Sequence, residues 1–582
     1  MNFVDISTLN IDTELDALRR GTQRYSLLIY QHKGVFFADE NRIGNNDQKD
    51  AEKKFIKLLK KAKVENISLV VSPEYSCPKS VVDLIIEDES LRPSNNKLWS
   101  LGGESLNKDD LNQLSEINND SVYIHFEDVH NDSDKNYVDP LYYIFLGQHD
   151  GTEKLIVLIQ FKSWHMGGLW SSQLEPDNLI QGSDVYVIKN DENSVRLISL
   201  ICSQAMNFNP TLEQNLIDNH GWVDSPFLFL SLQFNPNPSH QNFIDFKKFV
   251  LTREKRELIT LNWGMETCFP NGKKLYDEYN APRSGIYFKT SDVELDYKPK
   301  KIIDNHQKGL YFLQIKRKKR VYFLNRKIEL FKIHNKSVDI AEGVDEQQRR
   351  EGPTASNVYV FDDFHEIEEI EKVEDNHIDF LEDRGITNSY LLDRDISVVN
   401  KERLFNISNG QVEGNKENKW AEVIHLNSFI LNESDECNNR LTYLEDSYES
   451  SERIRSINCS NLIELDVNII SDKGTYPHSI RHLAEKEIKL AFAENADTYK
   501  YKYNVVNKHE DIEKATVCYI GSAVSQQLVN KTYDELQKLF DPDSPGKNTI
   551  VVFFKNGNDI LDKSNPDAGS ITEPPKDDSS IF

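Results

Sequence analysis

The chain has 582 residues, of which 38% are apolar and 28% charged, and its formal net charge is −26. That length supplies two or more domains with buried cores, and the acidic balance argues against broad attraction to nucleic acid or anionic membrane. No apolar run approaches the roughly 18 residues of a membrane span, and the amino terminus lacks the basic-then-apolar layout of a signal peptide, so a cytoplasmic protein is expected.

Residues 1–24 read as an N-terminal leader with a short helix near Thr13–Arg19. From Tyr25 strands and helices alternate. Ser26-Leu-Leu-Ile-Tyr30 is a predicted strand, and 47–64 carries Ala51, Phe55, Leu58, Leu59 and Ala62 at helical spacing. Ile67-Ser-Leu-Val-Val71 is a second strand, ending at Pro73-Glu74. Further strands are predicted at 121–126, 142–146, 155–162, 195–202 and 227–232. A helix over 243–255, a strand over 257–262 and late strands at 285–289 and 309–315 complete an α/β layered domain spanning 25–335.

Residues 336–360 read as a linker and 361–562 as a second, smaller α/β domain of unassigned role. That domain opens on an acidic run, since 361–383 hold 11 Asp or Glu and one Lys. A solvated face is the plain reading, and a docking surface for a basic partner the sharper one. Order returns with a helix over 479–493, a strand at 515–520, a helix at 525–540 and a strand at 549–554. The Ser/Pro/Asp-rich tail, 563–582, is expected to be disordered. The basic run 316–320 fits an exposed strand edge whose charges deter pairing.

The six cysteines (77, 202, 268, 437, 459, 518) are scattered, with no Cys-x-x-Cys pair. Free thiols are therefore expected rather than disulfides or a zinc site. Among them Cys202 stands out, because it ends the apolar run Val195-Arg-Leu-Ile-Ser-Leu-Ile-Cys202 where the chain breaks into a polar turn. A free thiol has a pKa of roughly 8.5 and needs a base or a positive neighbour to attack as thiolate. Glu74 supplies a base that later serves as acid. Lys162 supplies a cation for charge developing on a substrate oxygen or nitrogen, and losing such a donor costs on the order of 10²–10³ in rate. All three lie at strand ends, where an α/β sheet presents its ligand crevice.

The ordered series resembles the carbon–nitrogen hydrolase (nitrilase) superfamily over about residues 25–320. Leu69-Val-Val-Ser-Pro-Glu74 is similar to its strand-then-Pro-Glu motif, Trp99-Ser-Leu-Gly-Gly103 to the strand with a glycine pair, Phe161-Lys162 to the lysine motif, and Leu200-Ile-Cys202 to the nucleophile motif. Glu175 resembles the second, orienting glutamate, and Gly182 the glycine before the next strand. Asn219–Leu230 and Phe246–Gly264 are similar to the blocks that follow. The resemblance implies an αββα sandwich, a Glu74-Lys162-Cys202 triad, and pairing into at least a homodimer. The chain departs from the family in the insertion at His130–Lys135, in the longer interval to Glu175, and in Ser203-Gln204 after the cysteine.

The expected function is hydrolysis of an amide or related C–N bond, other than a peptide bond, through a covalent Cys202 intermediate. The expected substrate is a small amide or nitrile. The extra half-chain suggests a regulated effector whose C-terminal half senses a protein or ligand partner, a layout that some bacterial defence proteins resemble. The alternative is a non-catalytic binding or sensor protein on a degenerate scaffold of the same type. No Walker-type phosphate loop or metal motif occurs, so no cofactor and no metal are implied.

Overall fold

The computed structural model describes the chain except residues 22–23, 130–133, 167–172, 239, 254, 277–283, 290–303, 317–318, 337–351, 374–376, 397, 412–440, 442–448, 493–501, 510–512 and 567–582. The chain divides into two compact units: Met1–Phe312 with Lys318–Val373, and Leu313–Arg317 with Glu374–Phe582. Among the described residues no helix is long and apolar enough to cross a membrane.

The first unit is built on two sheets. One runs in the spatial order Ile367–Glu369, Thr354–Phe361, Leu330–Lys336, Arg24–Tyr30, Leu69–Cys77, Leu98–Gly103, Pro140–His149, Thr152–Phe161 and Val122–His125. The other contains, in spatial order, Asn2–Asp5, Asp184–Ile188, Arg196–Ile201, Phe227–Leu232, Arg256–Leu261, Gly285–Lys289 and Lys319–Leu324. Gln160 joins the two, donating to the Ser199 carbonyl at 3.0 Å while its own oxygen accepts from the Tyr186 amide at 3.2 Å.

Helices cover both outer faces. Gln48–Val64 is capped by Asp47, which accepts from the Asp50 amide. It buries the five apolar residues expected from its spacing, Ala51, Phe55, Leu58, Leu59 and Ala62. These pack with Lys79–Glu87 onto Leu28, Tyr30, Val70 and Trp99 of the first sheet. On the second sheet Phe246, from Gln241–Val250, meets Phe229 edge-on with ring centres 6.2 Å apart. The layers are helix, sheet, sheet, helix, which is the αββα sandwich expected.

Several local expectations need correction. Residues 1–24, expected as a leader, join the first unit: Asn2–Asp5 pairs in parallel with Asp184–Val187, and Ile6, Ile11, Leu15 and Leu18 are buried. The predicted helix there is only a 3₁₀ turn at Asp16–Leu18. A short segment buries more apolar surface by adding an edge strand than by forming an isolated helix. The domain end expected near residue 335 also moves. Leu330–Lys336 pairs with Arg24–Tyr30, and Thr354–Phe361 pairs with Leu330–Lys336, so part of the expected linker is sheet. Residues 337–351 of that linker lie outside the described residues. The acidic run begins in the turn after Thr354–Phe361 and passes through the edge strand Ile367–Glu369; Glu366, just before that strand, pairs with Lys57 at 2.5 Å.

The second unit has a five-stranded sheet: Ile488–Leu490, Val505–Asn507, Lys514–Ser522, Ile550–Asn556 and Asp559–Ser564. Lys514–Ser522 and Ile550–Asn556 are parallel, and helix Gln526–Gln537 connects them. Crossovers of this kind are the normal solution for parallel neighbours. The helix expected over 479–493 is instead a 3₁₀ stretch, His478–Glu485, followed by the strand Ile488–Leu490. Ile488 and Leu490 alternate with Lys489 and turn their side chains inward, so period 2 overrides the helical reading. Of the tail expected from 563, Lys563 and Ser564 end the last strand, and 567–582 lie outside the described residues.

Leu18→Ala should lower the unfolding free energy by about 2–5 kcal/mol, the usual range for an emptied core leucine site. Urea denaturation tests this, and a loss below about 0.5 kcal/mol would mean that the N-terminal segment is not part of the core.

Candidate active site

The path of the Leu69–Cys77 strand explains how Glu74 leaves the sheet plane. Its parallel pairing with Leu98–Gly103 is regular to Ser72 and resumes only at Cys77. Between them the chain bulges, Tyr75 takes a left-handed φ of 59°, and the Ser76 hydroxyl donates to the Pro73 carbonyl at 2.6 Å. The bulge needs room on its neighbour. A Cβ at Gly102 would fall onto the Pro73 carbonyl oxygen, so only glycine fits there. A Cβ at Gly182 would likewise collide with the Glu127 carboxylate and with Phe161, the residue before Lys162.

Lys162 follows the Thr152–Phe161 strand and is fully buried. Its ammonium donates to Glu74 Oε1 at 2.7 Å and to Glu175 Oε1 and Oε2 at 2.8 and 3.0 Å. Asp139 Oδ2 lies 3.5 Å away. Burial alone would push the lysine pKa down, but Glu175, Glu74 and Asp139 together raise it, so the ammonium stays charged. Glu175, on the short helix Leu174–Asn178, also accepts from the Tyr75 hydroxyl at 2.8 Å and the Met166 amide at 2.5 Å.

Cys202 sits directly after Arg196–Ile201, fully buried, with φ at 40°. A non-glycine residue in that region stores strain of about 1–3 kcal/mol unless its surroundings hold it. Here the turn is tied on both sides: Gln204 Oε1 accepts from the Ile201 amide at 2.7 Å, and Gln204 Nε2 donates to Ser163 Oγ at 2.8 Å. Ser203 Oγ donates to the Trp164 carbonyl at 2.5 Å. The unusual Ser203-Gln204 pair therefore clamps the cysteine turn to the segment following Lys162.

One residue connects the two sheets at this point. The Phe234 amide donates to Glu74 Oε2 at 2.5 Å, and its carbonyl lies 4.0 Å from Cys202 Sγ. Trp263 Nε1 donates to the Glu74 carbonyl at 2.7 Å. Burial raises the Glu74 pKa and Lys162 opposes the rise, with a net upward shift. Burial and the Glu74 charge push the Cys202 thiol well up, against the pull of Lys162, so the resting cysteine is a thiol. Around them lies an aromatic cluster: Phe36, Tyr75, Tyr137, Phe234, Trp263 and Tyr276. Phe36 and Phe234 stack at 3.7 Å.

The four residues singled out from the sequence thus meet, and two further contributors were missed. Phe234 acts through its backbone, which no side-chain motif reveals. Asp139 had a sequence signal. Asp150-Gly151, with φ of 51° and 75°, forms a two-residue hairpin loop that pairs His149 with Thr152 and, counting back, Pro140 with Phe161. That register puts Asp139 beside Lys162, whose amide donates to the Asp139 carbonyl at 2.9 Å. Glu74, Asp139 and Glu175 are also the group of carboxylates at metal-like spacing among the described residues. The Lys162 ammonium already lies among them, so the donor set is matched by a resident cation and does not fit a metal ion.

The layers and the site define an α/β sandwich with a buried Glu-Lys-Cys constellation between its sheets. No family model and no curated protein matches the chain. Among solved structures it is similar to the glutamine-dependent NAD+ synthetase from Acinetobacter baumannii, at 11% identity and a TM-score of 0.28, over 56% of this chain and 49% of that one. The chain thus spans about half the length of that synthetase. It is also similar to an amidase from Nesterenkonia sp., at 10% identity and a TM-score of 0.27, over 53% of this chain and 93% of that one.

Gly102→Ala should destabilise the first unit by about 1–3 kcal/mol through forced overpacking against the Glu74 bulge. A chemical denaturation curve superimposable on the wild type would remove the close-approach argument.

Proposed function

We propose that the chain is a thiol-dependent carbon–nitrogen hydrolase that cleaves an amide or related bond through a covalent intermediate on Cys202. The observation that carries this reading is the meeting of Glu74 with Lys162 and, through the Phe234 backbone, with Cys202, each of the three at most 1% exposed.

The steps follow from the geometry. Cys202 Sγ bonds to the substrate carbonyl carbon as its proton passes to Glu74, whose raised pKa suits it to accept near neutrality. Two N–H bonds of Lys162 are engaged by Glu74 and Glu175, leaving the third for the substrate oxygen as negative charge builds there. The C–N bond breaks, Glu74 returns the proton to the leaving nitrogen, and a thioester remains. Water then attacks, giving its proton to Glu74, and the released thiolate takes that proton back as the acid departs. Glu175 orients Lys162 and Tyr75 and touches no reacting atom. A nitrile would first take Cys202 across its C≡N bond to give a thioimidate; one water would then add and release ammonia, leaving the same thioester for a second water to hydrolyse.

The burial of all three groups favours a regulated form of this reading, in which substrate access requires opening. The second unit is then the sensor of a protein or ligand partner, and the chain assembles as a dimer or larger in the cytoplasm. Light scattering tests the assembly. Steady, partner-independent turnover by the full-length protein would sink the gated form.

Cys202→Ala should abolish ammonia release across a panel of small amides while the melting temperature stays near the wild type; unchanged turnover sinks the assignment. Lys162→Met should lower kcat by about 10²–10³. It should also destabilise the fold, because it strips the cation from buried carboxylates. Glu74 works as base only when ionised, so the rate should fall as pH drops through its raised pKa. A profile flat down to about pH 4, near an ordinary glutamate, would exclude Glu74 as the base.

A further inference from the structure

Asp139 is a fully buried carboxyl beside the reacting groups to which the proposed reaction gives no task. Three carboxylates face one ammonium, and ligand oxygens of Glu74, Asp139 and Glu175 lie within 4.8 Å of one another. Like charges at that spacing, out of water, do not all ionise. Their hydrogen bonds decide which one keeps a proton. Glu175 accepts from Tyr75, Met166 and Lys162, and Glu74 from Lys162 and Phe234. Among the described residues no group donates to either oxygen of Asp139, and its distance to the Lys162 ammonium, 3.5 Å, is the longest of the three.

Burial and the neighbouring Glu74 charge accordingly push the Asp139 carboxyl far above the usual range. With the proton in place, its hydroxyl has the Glu74 carboxylate within the same 4.8 Å cluster as an acceptor, and a bond formed there would draw the Glu74 pKa down. The titratable groups facing Asp139 are Glu74 and Tyr75 from the bulge, the adjacent Tyr137, Lys162, and Glu175 from its helix. Cys202 faces Glu74 from the second sheet.

We propose that Asp139 is a positioning residue: a neutral carboxylic acid whose hydroxyl donates to Glu74, holding that carboxylate ionised and aimed at Cys202. This rests on Glu74 being the base for Cys202. During attack the thiol proton moves to Glu74 while Asp139 keeps its own, and Asp139 ends the cycle as it began.

The test needs no natural substrate. In the full-length protein Cys202 is alkylated with iodoacetamide, the sulfur displacing iodide, and its rate is followed against pH by peptide mass spectrometry. Asp139→Ala should move the acid midpoint up by about one pH unit, since an ionised carboxylate loses a hydrogen bond worth that much. Asp139→Asn, whose amide still donates, should restore the midpoint to near the wild type. A downward shift of a unit or more in Asp139→Asn would mean that a negative charge had been removed, and would overturn the proposal. So would an unmoved midpoint in Asp139→Ala. Glu74→Gln is the control: a profile it leaves unchanged overturns the base reading itself, separately from Asp139. Infrared difference spectra of wild type against Asp139→Asn give a second reading that needs no access to the thiol. A carboxylic-acid C=O band lost in the variant at neutral pH supports the proposal, and its absence from the wild type refutes it.

Discussion

The Lys162 ammonium is the charge around which the rest of this site is arranged. A cation taken out of water is tolerated only with close, hydrogen-bonded counter-charges, and the fold delivers them from separate elements. Glu74 comes from a bulged parallel strand, Asp139 from the position just before the Pro140–His149 strand, and Glu175 from a short helix beyond the strand end. Each sits at a bulge or a strand end, where the backbone is free to leave regular pairing. The price of satisfying one lysine is an excess of carboxyl groups, and that excess gives the site a raised acid–base range.

The nucleophile is held by a different physical device. Cys202 occupies a left-handed backbone conformation that a side chain ordinarily avoids, and the neighbouring Tyr75 bulge does the same across the interface between sheets. Such strain persists only where contacts over-determine it. Ser203 and Gln204 provide those contacts for Cys202, Ser76 and Gly102 for the Glu74 bulge. The Phe234 backbone then sets the spacing, because its amide faces the carboxylate and its carbonyl the thiol.

Legibility varied with the kind of information each element carries. The helix Gln48–Val64 and the strands bearing Glu74, Lys162 and Cys202 announce themselves by local periodicity. The first residues and the Thr354–Phe361 segment do not, because each becomes a strand only by pairing with a partner far along the chain. His478–Leu490 carries a helical apolar spacing and a strand's alternation at once, and the pairing of Ile488–Leu490 with Val505–Asn507 decides between them. Ser203-Gln204 is unusual in the sequence, but only contacts across the site reveal that the pair clamps a turn.

By itself the sequence determined the alternation of strands and helices, the three chemically active residue types and their order, and, through Asp150-Gly151, the register that sets Asp139 next to Lys162. These are local properties, written in side-chain period and turn chemistry within a few residues. The tertiary structure alone decided which carboxyl lacks a donor, how deeply the thiol is buried, and which backbone amide joins base to nucleophile. Those outcomes depend on ångström distances between groups separated by as many as 160 residues. Electrostatics and hydrogen bonding are resolved at that scale, and local sequence pattern does not carry it.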